Sequence, residues 1–546
     1  MNTVTRRCLS FLVVLGVACG PSAPEPPAPL SPETPVAVTG GSVTGALVDG
    51  SPSVIAYEGI PYAAPPVGDL RWKAPAPVVS WTSTHAATAF GPACMGGGHR
   101  GDTNDEDCLY LNVWTQTVKT EPQAVMVWIH GGGFTGGSGS GPSYYGTHLA
   151  ERGVVVVTIN YRLNVFGFMA HPELAAESGY GGSGNYGLMD ITAALQWVHD
   201  NIAAFGGDPS RVTIFGESAG GGAVMSTMLV PQSRGLFQRA IGESNWVYGW
   251  DRGESEAVRR QASAEAAGLE VAKNLGGENG PATLAAMRDA SAEEVLGAYR
   301  AVAYSPFTRE GFGWGPSVDG HVIPDDPVAM YESGRQTDVP LIVGMNGNEG
   351  ILFTRGLGID TKAKFEGLVQ SAYPADIAQQ ALDLYQVTDD SGTAAGMAHL
   401  AHDLYFAGPV LLHAKSQANV SSPAWLYHFT RVPPSAWGAS MGSHHTAEIR
   451  YVFGNLTGPG SYAPPMAAEG EEPSDVDKRL SNTMMSYWVQ FAKTGNPNVE
   501  GQPGWPEYDP ATDTYLQLDE EVKTGTGLHA KGYELFEAVE AWKRAN

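Results

Sequence analysis

Two kinds of hydrophobic pattern divide the chain. Ala124–Ile129, Val154–Ile159, Val212–Phe215, Val339–Met345 and Trp425–Phe429 are short apolar runs with almost no polar interruption. Runs of this length, rich in β-branched and aromatic residues, predict strands buried on both faces. Longer stretches with helical spacing, such as Leu188–Ala203 and Val476–Ala492, separate or follow them. Buried strands interleaved with helices predict an α/β protein with a mostly parallel central sheet flanked by helices. The Ala/Glu-rich segment 254–300 predicts further helices, inserted between two strands as a candidate cap over a pocket mouth. There is no internal repeat, and no run beyond the first twenty residues is long and apolar enough to span a membrane.

The N-terminus breaks the pattern. Arg6-Arg7 precede the apolar run Leu9–Val17, and Ala18-Cys19-Gly20 follows. A basic n-region, a short h-region and a small-residue cleavage site predict a signal peptide over 1–18. Gly16-Val17-Ala18-Cys19 also resembles a bacterial lipobox, which makes Cys19 the candidate for lipidation. Residues 21–35 hold seven prolines, so 19–38 is expected to be an extended linker of about 45 Å at roughly 3.1 Å per residue. The expectation is an exported protein, membrane-anchored as a lipoprotein in the periplasm or at the cell surface, or else secreted. Residues 39–546 are expected to form one catalytic unit.

Charge and cysteines narrow the partners. A formal net charge of −25 argues against nucleic acid and against electrostatic attachment to anionic lipid. The bland account of that charge is solubility; a field that attracts cationic substrates is the sharper one. Cys8 would leave with the signal peptide, so Cys94 and Cys108 remain as a pair. In an oxidising compartment they would close a short loop and contribute about 3 kcal/mol. Paired histidines that would turn them into a zinc site are not nearby.

The run Val212–Phe215 leads into Gly216-Glu217-Ser218-Ala219-Gly220 and then an Ala/Met/Val-rich stretch. Strand, sharp turn and helix with Ser at the apex of G-x-S-x-G is the nucleophile elbow of α/β-hydrolases. Gly438-Ala-Ser440-Met-Gly442 matches the same short pattern, but follows prolines and precedes no helix-forming run. Context selects Ser218. A serine hydroxyl needs a base, an orienting acid and donors for the oxyanion. His130-Gly131-Gly132-Gly133-Phe134 follows a strand, so the N–H groups of Gly132 and Gly133, with that of Ala219, are the candidate oxyanion hole. Glu349 lies just after the strand ending near Met345, where the acid of this fold belongs; Asp319, Asp325 and Asp326 precede that strand. For the base, His402, His413, His428, His444, His445 and His529 all lie in the C-terminal third, and spacing does not separate them.

At this point the chain resembles the type-B carboxylesterase family, which includes cholinesterases and bacterial para-nitrobenzyl-type esterases. Phe205–Gly220 reproduces its active-site signature, and Glu106-Asp107-Cys108-Leu109-Tyr110-Leu111-Asn112-Val113 a second one. Asn160-Tyr161-Arg162 and Asn185-Tyr-Gly-Leu-Met-Asp190 match as well. The resemblance implies an α/β-hydrolase fold and picks His445, three residues before Glu448 in a run ending Val452-Phe453-Gly454. It implies Glu349 as the acid, a Cys94–Cys108 disulfide and an Arg71–Glu106 ion pair. It departs at Ile191, where the family has Gln, and at Gly242-Glu243-Ser244, where many relatives have Ser-Gly-Ser. The segment between Cys94 and Cys108 is short and carries no aromatic residue, whereas cholinesterases place there the tryptophan that binds choline. A quaternary ammonium needs such a ring face, so choline esters are poor candidates.

The expectation is therefore a serine hydrolase that cleaves small-molecule carboxylic esters through Ser218, His445 and Glu349, with an acyl-enzyme intermediate. No metal or organic cofactor is called for. The alternatives are a non-catalytic adhesion member of the same fold, or an amidase or lactonase with the same triad. Trp246, Trp250, Phe307, Phe312 and Trp314 are candidate pocket aromatics, and Glu217 is a candidate pocket or elbow residue. Acyl preference and oligomeric state are not legible.

Overall fold

The computed structural model describes residues 29–98, 102–245, 259–302, 314–457 and 472–545. The signal peptide, Cys19, most of the linker, and Trp246, Trp250, Phe307 and Phe312 lie outside the described residues. Within the stretch expected to be linker, Val36–Val38 pairs antiparallel with Gly41–Thr44. The chain becomes β-prone as soon as the prolines stop.

An 11-stranded sheet organises the molecule. Its strands, in chain order, are β1 Ala46–Val48, β2 Ser51–Pro61, β3 Tyr110–Gln116, β4 Gln123–Ile129, β5 Val154–Ile159, β6 Gly207–Glu217, β7 Arg239–Glu243, β8 Leu341–Asn346, β9 Ala424–Phe429, β10 Tyr515–Leu518 and β11 Lys523–Gly525. Their spatial order is β11-β10-β9-β8-β7-β6-β4-β5-β3-β2-β1. From β5 through β10 every pairing is parallel. The pairs β5–β3, β3–β2, β2–β1 and β10–β11 are antiparallel and form the two flanks.

The unbroken apolar runs are explained by which face each residue takes. In β4, Val125, Val127 and Ile129 join one hydrophobic cluster, while Ala124, Met126 and Trp128 join the other. Alternate side chains point to opposite faces, and helices cover both, so neither face tolerates polar residues. On the larger cluster's side lie α1 Tyr186–Asn201 and α2 Ala219–Thr227; α3 Asp475–Thr494 sends Met484, Trp488 and Phe491 into the other.

The segment expected to be a helical cap contributes Gln261–Gly276, Leu284–Asp289 and Ala292–Arg300. The last is fixed by a Ser291/Glu294 capping box. A second helical insertion, not anticipated from sequence, lies between β8 and β9. It includes Lys362–Ala372, Ala375–Tyr385, Thr393–His402, a π-turn at Asp403–Ala407, and Gly408–Ser416. Its helices carry buried His and polar residues, which weaken the amphipathic signal. No helix among the described residues is long and apolar enough to cross a membrane.

Two of the sequence motifs meet in one ion pair. Arg162, just beyond β5, donates from Nε and Nη2 to Asp190 of α1 at 2.7 Å each, and its backbone N–H donates to the same carboxylate at 3.0 Å. Both side chains are at most 3% exposed. The disulfide Cys94–Cys108 is formed. Arg71 Nε donates to Glu106 at 2.7 Å, and its Nη1 reaches the carbonyls of Met287 and Ala290 at 2.8 Å. That pair thereby ties the second signature region, at Glu106, to the cap. Removing one member of a buried pair leaves the other charge unpaired, at about 3–5 kcal/mol. Asp190→Asn is therefore expected to lower the unfolding free energy by that order, read as a fall in the urea midpoint at unchanged m, and a midpoint within error of wild type contradicts the assignment.

Candidate active site

Parallel strands deliver their C-terminal ends to one edge of the sheet, where open α/β sheets bind ligands. Ser218 follows β6, His130 follows β4, Ser244 follows β7 and Glu349 follows β8. His445 lies in the connection after β9.

Ser218 occupies the turn between β6 and α2 with φ 59° and ψ −126°, a strained conformation for a residue with a side chain. The turn is packed against β4. A Cβ on Gly216 would lie 2.5 Å from the Ile129 carbonyl, and one on Gly220 would collide with that same oxygen and the His130 backbone. Only glycine fits at either position. The decoy Ser440 lies exposed in the short helix Ala436–Met441, which residues 430–435 separate from β9.

The Gly-rich loop lies directly over this turn. A Cβ on Gly131 would meet the Glu217 carbonyl at 2.6 Å and Ser218 Cβ at 3.1 Å. Gly132, Gly133 and Phe134 all have positive φ (109°, 65° and 58°), which aims the loop's backbone rather than its side chains inward. Ala219 opens α2, so its N–H has no partner within the helix. His130 stacks on Tyr161 at 4.5 Å, and Tyr161 Oη donates to the His130 carbonyl at 2.8 Å. These contacts brace the loop.

Of the six candidate histidines, one is joined to Glu349. His445 Nδ1 lies 2.7 Å from Glu349 Oε2, with both side chains at most 5% exposed. Its Nε2 lies 3.2 Å from Oε1 of Glu217, the residue before Ser218. Phe353 and Phe406 pack on its ring at 5.1 and 4.8 Å. His444 has both nitrogens engaged: Trp437 Nε1 donates to Nε2 at 3.0 Å, and Nδ1 faces the His445 carbonyl at 2.6 Å. Burial depresses its pKa. His413 binds Asn245 at 2.9 Å, and His402, His428 and His529 group together at the second insertion. Asp319 is used in a turn, with Oδ1 accepting from the N–H groups of His321, Val322 and Ile323. Trp314 is buried.

Behind Glu349 lies a network that sequence did not announce. Glu349 Oε1 accepts from Ser244 Oγ and from the Asn346 N–H, each at 2.6 Å. Glu448 Oε1 lies 3.2 Å from the same Ser244 Oγ, and its other oxygen accepts from Asn346 Nδ2. A hydroxyl carries one proton, and the shorter contact takes it to Glu349. The Glu448–Ser244 contact is then completed by a proton on Glu448. Burial, followed by the neighbouring Glu349, pushes Glu448 up to about 8, consistent with that proton. Burial and the other carboxyls raise Glu217 and Glu243 well above the usual range. Trp488 Nε1 donates to Glu243 at 2.7 Å. The signal available for Ser244 and Glu448 was positional: both sit in the motif stretches 242–244 and 445–454, but their partnership spans the topology.

The fold and this geometry agree with the comparisons. A model of the carboxylesterase family matches residues 32–536. The fumonisin B1 esterase of Sphingopyxis macrogoltabida is 37% identical over 493 residues, covering 89% of this chain and 87% of that protein. The para-nitrobenzyl esterase of Bacillus subtilis (strain 168) is 37% identical over 495 residues, covering 88% and 94%. The solved structure of a thermophilic PNB esterase superposes with a TM-score of 0.78 at 33% identity, covering 92% of this chain and 99% of that one. The chain belongs to the carboxylesterase family. It has the α/β-hydrolase fold, and its activity is carboxylic ester hydrolysis of the serine type.

The protonated cluster predicts a pH dependence. A carboxyl whose pKa is raised on folding keeps a proton that the unfolded chain has lost, so its contribution to stability fades as pH rises from the ordinary carboxylate range to about 8. Glu448→Gln, a neutral isostere, is expected to flatten part of the fall in unfolding free energy between those limits. Equal slopes for the two proteins in denaturant titrations at successive pH values would show that Glu448 is ionised throughout.

Proposed function

We propose that Ser218, His445 and Glu349 form the catalytic triad of this esterase, with the N–H groups of Gly132, Gly133 and Ala219 as the oxyanion hole. The observation that carries the proposal is the buried His445–Glu349 contact of 2.7 Å at the same sheet edge as the strained Ser218 turn. Glu349 holds the proton on Nδ1, which leaves the Nε2 lone pair as base. Ser218 Oγ attacks the ester carbonyl carbon while its proton passes to His445 Nε2. Carbonyl electrons move onto the oxygen, where fixed N–H donors receive them; one such donor is worth roughly 2.7–4 kcal/mol of transition-state stabilisation. Collapse of the intermediate expels the alcohol, which takes the proton from His445, and an acyl-enzyme remains. Water, deprotonated by His445, attacks that carbonyl and releases the acid and Ser218.

Glu349 bears the negative charge that opposes the imidazolium. A protonated Glu448 supports this by leaving Ser244 free to donate toward Glu349. The substrate class is a small-molecule carboxylic ester without a quaternary ammonium, since the chain between Cys94 and Cys108 carries no aromatic residue. Ser218→Ala is expected to lower kcat for p-nitrophenyl butyrate by at least about 10⁴-fold with an unchanged circular dichroism spectrum. Retained turnover, or failure of the wild type to react with a fluorophosphonate, favours the adhesion reading. Amide and lactone panels decide between ester and related acyl chemistry.

We also propose that the protein is exported and held at a membrane by lipid on Cys19. The support is the Arg6-Arg7 n-region, the apolar run, the Val17-Ala18-Cys19 site and the proline-rich spacer. Wild type expressed in a bacterial host is expected to partition into detergent, and Cys19→Ser into the aqueous phase. Aqueous partition of both would leave a freely soluble exported enzyme.

A further inference from the structure

Two histidines considered as bases, His402 and His529, meet elsewhere. His402 ends the helix Thr393–His402, and Asp403 begins the π-turn; π-turns inside helices recur at functional positions. His529 precedes the C-terminal helix Ala530–Ala545 and has a φ of 49°, uncommon for a residue with a side chain. The two Nε2 atoms face each other at 3.2 Å. Asp403 Oδ1 lies 3.0 Å from His529 Nδ1, and Asp403 Oδ2 accepts from Tyr385 Oη at 3.0 Å. One ligand atom from each of His402, Asp403 and His529 fits within 4.8 Å of the others.

We propose that His402, His529 and Asp403 form a binding site for a divalent transition cation of the zinc type, distinct from the ester-hydrolysing residues. The carboxylate at Nδ1 of His529 holds the ring proton there, so the Nε2 lone pair points at His402. Nitrogens bonded to one tetrahedral zinc at 2.0–2.1 Å stand about 3.3 Å apart, close to the separation of the two rings. A carboxylate behind a ligating histidine is the usual way such a ring is oriented. Imidazole donors favour zinc, nickel, cobalt or copper over magnesium and calcium. The His529 side chain is 28% exposed, which gives an ion a way in from solvent. The competing account is a direct N–H···N hydrogen bond between the rings.

The test is titration of chelator-stripped, untagged protein with ZnCl2 by calorimetry, and with Co2+ followed by visible absorption. Wild type is expected to bind near one equivalent and to give the intense ligand-field bands of a tetrahedral nitrogen/oxygen site. His529→Ala is expected to weaken Zn2+ binding about 100-fold and abolish those bands. Tyr385→Phe, which keeps both histidine ligands and the Asp403 carboxylate that orients His529, is expected to weaken binding by about tenfold at most. Circular dichroism and p-nitrophenyl butyrate turnover report on folding of each variant. Should His529→Ala fail to fold, the Co2+ spectrum of wild type decides alone. The absence of saturable binding, an octahedral aquo-type spectrum, or undiminished binding in a folded His529→Ala protein overturns the proposal and leaves the hydrogen bond.

Discussion

The backbone of β4 and the turn after β6 approach so closely that side chains are excluded between them, and the geometry of the site follows from this contact. Gly220 sits against the Ile129 carbonyl and the His130 backbone, and Gly216 against the same carbonyl. With those positions closed to any Cβ, the chain turns sharply at Ser218, which takes a φ of 59°. The loop that continues β4 has no other route than over the turn, which brings Gly131 against Ser218. The parallel pairing of β4 with β6 sets the register, from Val125↔Val212 to Ile129↔Gly216. The proposed nucleophile and oxyanion donors are thus positioned by one backbone contact rather than by a set of side-chain interactions.

Charge imposes the second constraint. Glu217, Glu243, Glu349 and Glu448 are all at most 1% exposed, and four carboxylates cannot all ionise together in that volume. Burial and the neighbouring carboxyls push Glu217, Glu243 and Glu448 towards their protonated forms. Three donors converge on Glu349: the Asn346 N–H, Ser244 Oγ and the His445 ring. The chain's formal charge of −25 is consequently a poor guide to the charge at the site.

Legibility in the sequence tracks the range of the constraint. The parallel strands were legible because burial on both faces removes polar residues locally, as in Ala124–Ile129. The Ser218 turn and the loop at His130 were legible for the same reason, since their backbone demands glycine at fixed offsets. The antiparallel flanks were not, because Ser51–Pro61 mixes exposed and buried positions and shows no clean period. The insertion between β8 and β9 hides its helices behind His402, Asp403 and His413, polar residues that are buried rather than facing solvent. Ser244 and Glu448 are 204 residues apart, and only the strand order brings them together. Resemblance supplied Arg71–Glu106 and the motifs holding Arg162 and Asp190; the structure supplies their physical reason, two buried ion pairs that lock loops to helices.

Adjacent histidines show how far residue type falls short of role. His444 and His445 differ by one position, and both are buried near Asn346. His444 receives a hydrogen bond from Trp437 at Nε2 and faces a carbonyl at Nδ1, so neither nitrogen is left to accept a proton. His445 has a carboxylate at Nδ1, and its Nε2 faces the elbow. A carboxylate at Nδ1 also marks His529, yet there Nε2 faces a second imidazole instead of the Glu217 carboxyl beside Ser218. The same ring with the same Nδ1 partner is thus proposed for proton transfer in one place and for a cation in the other. What stands opposite Nε2 decides between them.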